Sequence, residues 1–206
     1  ISIVQQPFEH IFYHFVLCYS NWQTGRICFS ESFESLSLGI QDALWKLGGV
    51  PTLHRTDNLT SAVHKVGHPD IFTDKYRGLA SHYGFKSSKT NPASPHENGD
   101  VEKSNDLFKK AVDQSLIIRG IRDFDTVKEY AQFLQKIIDR MNANCHKRFA
   151  EELEVLKELP NRRYAGPPSN QDWCARRGTI RLLHNTYSLH SRLAGETVKV
   201  RVYADK

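Results

Sequence analysis

Between residues 11 and 47 the apolar pattern changes period once, from two to 3.6, and that switch limits the fold more than any other feature. Residues 11–19 (IFYHFVLCY) are rich in aromatic and β-branched side chains, as a buried strand requires. Residues 21–25 (NWQTG) are turn formers, and residues 26–30 (RICFS) return as a second strand, so an antiparallel hairpin is predicted. Phe33, Leu36, Ile40, Leu44 and Leu47 then recur at helical spacing, and Gly48-Gly49 followed by Pro51 stops the helix.

Downstream, the pattern predicts a short strand over 52–56 ending on Asp57-Asn58, a helix over 73–83 and another short strand over 85–90. A loop over 91–99 leads to a helix over 100–118. Thr126-Val-Lys-Glu129 matches a capping box. It opens a helix whose apolar stripe (Val127, Tyr130, Leu134, Ile137, Ile138, Met141) reads as core packing. Strand, strand, helix, strand, helix, strand, helix describes an α/β sheet with a hairpin on one side. This is the order of an RNase H-like fold lacking its first strand, and that fold would occupy residues 1–159.

Composition and charge narrow the class further. Hydrophobic and charged shares of 39% and 25% describe a soluble globular chain. Cysteines 18, 28, 145 and 174 have neither CxxC nor metal-ligand spacing, so reduced thiols in a cytoplasmic protein are expected. No apolar run approaches the ~20 residues of a membrane span. Residues 160–206 hold nine Lys/Arg against three Asp/Glu, leaving 19 against 20 in residues 1–159. The basic excess of this +5 chain therefore sits in the C-terminal quarter, where it suits phosphate contacts or a solvated tail. Within that quarter, 160–178 reads as a basic Pro/Gly/Arg linker. Residues 179–187 and 197–203 alternate with period two, as strands opening a small β-barrel that is cut off at Lys206. The first residues lack both an initiator Met and a signal pattern, so a fragment is expected.

Two acidic segments carry the chemistry. Asp57 follows a predicted strand, where a carboxylate projects into the crevice that α/β proteins use for ligands. Residues 94–105 (SPHENGDVEKSN) offer Asp100 or Glu102 in the first turn of the next helix, where the dipole favours the ionised form. Carboxylates so placed suit Mg²⁺ against a phosphodiester. Other sites are weaker. His64 and His68 lie four apart but beside Gly67 and Pro69, with no third zinc ligand. No GxSxG elbow supports a serine nucleophile.

Residues 47–51 (LGGVP) with 54–58 (HRTDN) resemble the second-aspartate segment of the DDE integrase/transposase superfamily. Residues 94–105 resemble its glutamate segment. The chain is most similar to the IstA-type transposases of bacterial insertion sequences, and residues 185–196 (NTYSLHSRLAGE) resemble the start of their small SH3-like barrel. The resemblance implies that Asp57 is the second metal-binding aspartate and Glu102 the catalytic glutamate, with Mg²⁺ or Mn²⁺ as cofactor. Glu97 and Asp100 compete with Glu102, which is preferred because it follows Val101 and precedes Asn105 by three. The first aspartate is expected on the strand preceding residues 11–19, which would lie upstream of Ile1, since Glu9 stands at the hairpin entrance. Such a fragment alone is expected to catalyse little. Asn105 and Lys109 share a helix face with Glu102 and, with Lys103, suit DNA near the scissile phosphate. Arg162, Arg163, Arg176, Arg177 and Arg181 suit phosphates without base readout. Implied partners are double-stranded DNA (element ends and target), further copies of the chain, and a helper AAA+ ATPase. Rival readings are an inactive DNA-binding and assembly module, or a nuclease of the same fold acting on RNA–DNA hybrids.

Overall fold

Two short strands, β1 (Ser2–Ile3) and β2 (Gln6–Pro7), lead into a hairpin of β3 (Ile11–Val16) and β4 (Gln23–Cys28). These belong to a computed structural model that describes residues 1–56, 69–89, 99–165, 171–173, 178–182 and 185–199. β3 and β4 pair antiparallel from Ile11↔Cys28 to Val16↔Gln23. The hairpin turn differs from the expected one. It spans 17–22, closed by the Leu17 N–H donating to Trp22 O at 2.8 Å, and Asn21 takes the bend at φ +59°. Asn tolerates that left-handed geometry. Gly25, read as a turn residue, lies inside β4. A Cβ there would come within 2.5 Å of the Phe12 ring, so the glycine marks a close approach.

Ser32 caps α1 (Phe33–Leu47), its hydroxyl accepting from Ser35 N, and Gly48 ends the helix at φ +82° with its N–H on Leu44 O. The predicted apolar stripe packs inward: Ile40 and Leu44 are almost fully buried, with Val50, Leu79 and Phe85 in the same cluster. β5 (Leu53–Thr56) and β6 (Lys86–Lys89) pair parallel, joined through α2 (Pro69–Tyr83). That helix starts four residues before the expected 73, because Pro69 occupies its first position, where a missing N–H costs nothing.

α3 (Gly99–Arg119) and α4 (Val127–Asn142) close the opposite face of the hairpin. Between them β7 (Asp123–Phe124) runs parallel to β1, completing a three-stranded ribbon. Thr126 caps α4 as expected, but the returning arm of Glu129 reaches Asp125 N (2.8 Å) and Arg119. Side chains of β3 alternate between the layers. Phe12 joins the α3/α4 cluster with Phe108, Leu134 and Ile138, while Tyr13 and Phe15 pack toward α1. A helix not expected from sequence, α5 (His146–Leu153), sets Phe149 flat on Trp22 at 5.3 Å.

The architecture is thus mixed α/β with small sheets. The β3–β4 and β5–β6 ribbons are separate, and no strand among the described residues joins them. Farther on, β8 (Gln171–Trp173) pairs with β11 (Thr197–Lys199), and β9 (Thr179–Leu182) with β10 (Asn185–Ser188). The stretch 179–187, expected as one strand, therefore folds back with Leu182 opposite Asn185. Both arms keep the alternation, so period alone does not reveal the reversal. Among the described residues no helix is long and apolar enough to cross a membrane.

Candidate functional site

The C-terminal ends of β5 and β6 lie side by side, with Thr56 opposite Lys89. From that edge the chain leaves toward Asp57 on one strand and toward the start of α3 on the other. Asp57, Asn58, His64, His68 and Glu97 lie outside the described residues, as do Arg176 and Arg177. Glu102 stands in the first turn of α3 with an exposed side chain, and it has no ion-pair partner among the described residues. The positive end of the helix dipole stabilises its charge. Asp100 belongs to the same turn of backbone.

One turn further on, Asn105 faces inward. Its Oδ1 bonds His14 Nδ1 on β3, and His14 Nε2 bonds Gln23 Oε1 at 2.7 Å. The backbone of Gln23 is held in turn by Asn142 of α4: Gln23 N–H donates to Oδ1 at 2.9 Å, and Nδ2 donates to Gln23 O at 2.8 Å. Phe108 lies over Phe12 at 4.9 Å and against His14 at 5.2 Å. This polar chain fixes the roll of α3 against the hairpin and so sets where Glu102 points. Sequence reasoning missed it; the only signal was one histidine inside an otherwise apolar strand. Asn105→Ala should cost about 1–2 kcal/mol in urea unfolding, because it strips a partner from a half-buried imidazole. Unchanged stability would show that the bond does not hold the helix.

On the other side of β3, Phe15 stacks on His54 of β5 at 6.1 Å. His54 is buried, its Nδ1 bonds Tyr76 OH at 2.8 Å, and Phe85 lies 5.4 Å away. Burial pushes the imidazole from 6.5 down to about 4, so it is neutral near pH 7. The Tyr13 phenol, buried in the same region, is pushed far above its ordinary range by burial and by Tyr76 and Cys28. The strand that leads to Asp57 is therefore anchored in an apolar, uncharged setting.

Of the remaining expected DNA contacts, Lys103 and Lys109 are exposed on α3. Arg162 is exposed, and its carbonyl bonds His82 Nε2 at 2.9 Å. Arg163 pairs with Asp42 and lies over the Trp45 ring at 5.5 Å. Arg181 belongs to β9, and its side chain lies outside the described residues. Among the described residues no three His, Cys, Asp or Glu side chains cluster as a metal site.

No family model matches the chain. Across an alignment of 210 residues, the chain is 35% identical to an uncharacterized protein of Sinorhizobium fredii, which covers all of this chain and 42% of that protein. It is 26% identical over 206 residues to the transposase for insertion sequences IS1326/IS1353 of Pseudomonas aeruginosa, covering 93% of this chain and 39% of the relative. A transposase of Aminobacter aminovorans is 27% identical over 202 residues, covering 94% and 39% respectively. The chain thus spans about two-fifths of the length of the relatives it matches. The distant relatives named as transposases support a transposase family.

Proposed function

We propose that this chain is the catalytic core of a DDE transposase, of the IstA type, in an RNase H-like fold followed by a basic linker over 160–178 and a small SH3-like barrel from 179. The observation that carries the reading is the position of Glu102. It is an exposed carboxylate, without an ion-pair partner among the described residues, in the first turn of the helix that follows β6, at the motif position of the family's glutamate. Asp57, the residue after β5, is the second acid, and the resemblance assigns the third to a strand ahead of β3. Hard Mg²⁺ or Mn²⁺ takes carboxylate oxygens together with water and phosphate, which fits this donor chemistry. A metal pair bound there supplies activation of the attacking oxygen and charge neutralisation at the phosphate. The chain's own part is rigid placement. The buried His54 anchors β5, and the His14–Asn105 bond holds α3, the helix of Glu102.

In the parent protein the reaction is cleavage at element ends, followed by attack of the freed 3′-OH on target DNA. Lys103 and Lys109 would lie along the DNA beside the acids, while Asn105, turned inward onto His14, positions the helix that carries them, and Arg162, Arg163, Arg176, Arg177 and Arg181 neutralise phosphates. The transposase reading brings with it a homo-oligomer on paired ends and an AAA+ helper ATPase.

The test is a strand-transfer assay with the parent protein, Mg²⁺, labelled element-end duplexes and a supercoiled target. Joined products are expected. Nicks without joining would identify a nuclease instead, and bound but uncut ends would identify an assembly module.

A further inference from the structure

The two faces of α3 differ in kind. One is buried, with Phe108 and Leu116 in the cluster of Phe124, Leu134 and Ile138. On the other, Leu107 is 48% exposed, Ile117 65% and Ile118 85%, and Ile121, just past the Gly120 stop, 62%. A surface helix turns charged and polar side chains to water, so isoleucines at 117, 118 and 121 make an apolar patch that water disfavours.

The order along this face shows what kind of cover fits it. Leu107, Lys110, Gln114, Ile117 and Ile121 follow at intervals of 3, 4, 3 and 4 residues, the seam spacing of two helices wound about each other. Lys110 and Gln114 make no hydrogen bond or ion pair among the described residues. Asp113, at the margin, is neutralised by Arg122 at 2.7 Å. Glu102 and Lys109 lie off the seam, so a helix laid along it leaves the candidate acid open.

We propose that the cover is a second copy of this chain, its α3 laid antiparallel on the first. With the two-fold axis midway between Lys110 and Gln114, the seam matches itself. Leu107 of each copy meets Ile117 of the other, and Lys110 Nζ donates to the side-chain carbonyl of Gln114. Ile118 closes over Ala111 at the margin. In a parallel pair Lys110 would stand on Lys110, a like-charge contact at the centre of the seam. DNA gains nothing from isoleucines, and a different partner helix would need the same spacing and the same polar centre. This surface would serve the homo-oligomer that the transposase reading brings with it, but it rests on the α3 stripe alone.

The test is sedimentation equilibrium of the chain without DNA or metal, so its outcome is independent of any transposase activity. Twice the monomer mass is expected at about 0.1 mM chain. Ile117→Asp should restore the monomer mass with the helical circular dichroism unchanged, because that side chain is exposed in the single copy. Orientation is read by cross-linking in a Cys18→Ser, Cys174→Ser background. Under mild oxidation, a mixture of Lys110→Cys and Gln114→Cys chains should join about tenfold faster than either alone, since only that pair reaches disulfide distance. A monomer at about 1 mM, a dimer that survives Ile117→Asp, or Lys110→Cys chains that join fastest with themselves would each overturn the proposal. So would a monomeric chain whose Ile117 and Ile118 amides are protected only in the parent protein, which would assign the stripe to another segment.

Discussion

Glu102→Gln should abolish cleavage and joining in the parent protein while leaving the fold and end binding intact. The amide keeps the size and an acceptor oxygen but loses the charge that holds a divalent cation. Metal-borne stabilisation of charge at a reacting phosphate is worth several kcal/mol. At about 1.4 kcal/mol per tenfold in rate, the loss should be on the order of 10³-fold or more. Stability should barely move, because the side chain is exposed and makes no ion pair among the described residues. Losing a carboxylate from the first helical turn costs about 0.3–1 kcal/mol. Affinity for element ends should stay level or rise slightly, since one negative charge beside the phosphates is gone. Gel-shift and cleavage assays on the same preparation separate these effects. If cleavage survives, Glu97→Gln and Asp100→Asn become the deciding variants, and the acid role passes to whichever abolishes it.

The main elements could be read in advance because each rests on a local rule. The spacing from Phe33 to Leu47 and the stop at Gly48 define α1, and Thr126 starts α4. What escaped depends on partners distant in sequence. Gly25 looks like a turn residue until Phe12 lies across it, and α5 gains its place only from the stack of Phe149 on Trp22. The ribbon of β1, β2 and β7 joins strands about 120 residues apart with only two residues each. No window of sequence contains enough of it to show a period. The same holds at the candidate site. The motif over 94–105 announces Glu102 locally, whereas the bond from Asn105 to His14 spans 91 residues. A single polar side chain among apolar neighbours hinted at His14, but nothing in the chain names its partner.

Acid should weaken the fold through His54. The imidazole is buried against Phe15, Phe85 and Tyr76, and its value in the folded chain is about 4, against 6.5 when exposed. Above pH 6.5 both states carry it neutral, and its contribution to stability is complete. As pH falls from 6.5 toward 4, the unfolded chain takes up the proton first, so stability drains across that window. Below about 4 the folded state protonates as well, and the loss levels off. The full drop is about 3 kcal/mol, a large share of a small domain's margin. His54→Asn removes the titration while keeping a neutral acceptor for Tyr76 OH. The variant should be weaker than the parent chain at pH 7.5, from lost packing. Its deficit should then shrink by about 3 kcal/mol in urea unfolding series run down to pH 4, because only the parent chain pays the proton cost. Parallel stability curves would show that His54 does not titrate with folding. Because the same histidine anchors β5, acid should also loosen the β5–β6 edge before the rest of the core. Amide exchange along β5 and β6 should therefore accelerate near pH 5 ahead of that in α4, whose buried face (Tyr130, Leu134, Ile137, Ile138) packs on the other side of β3 from His54.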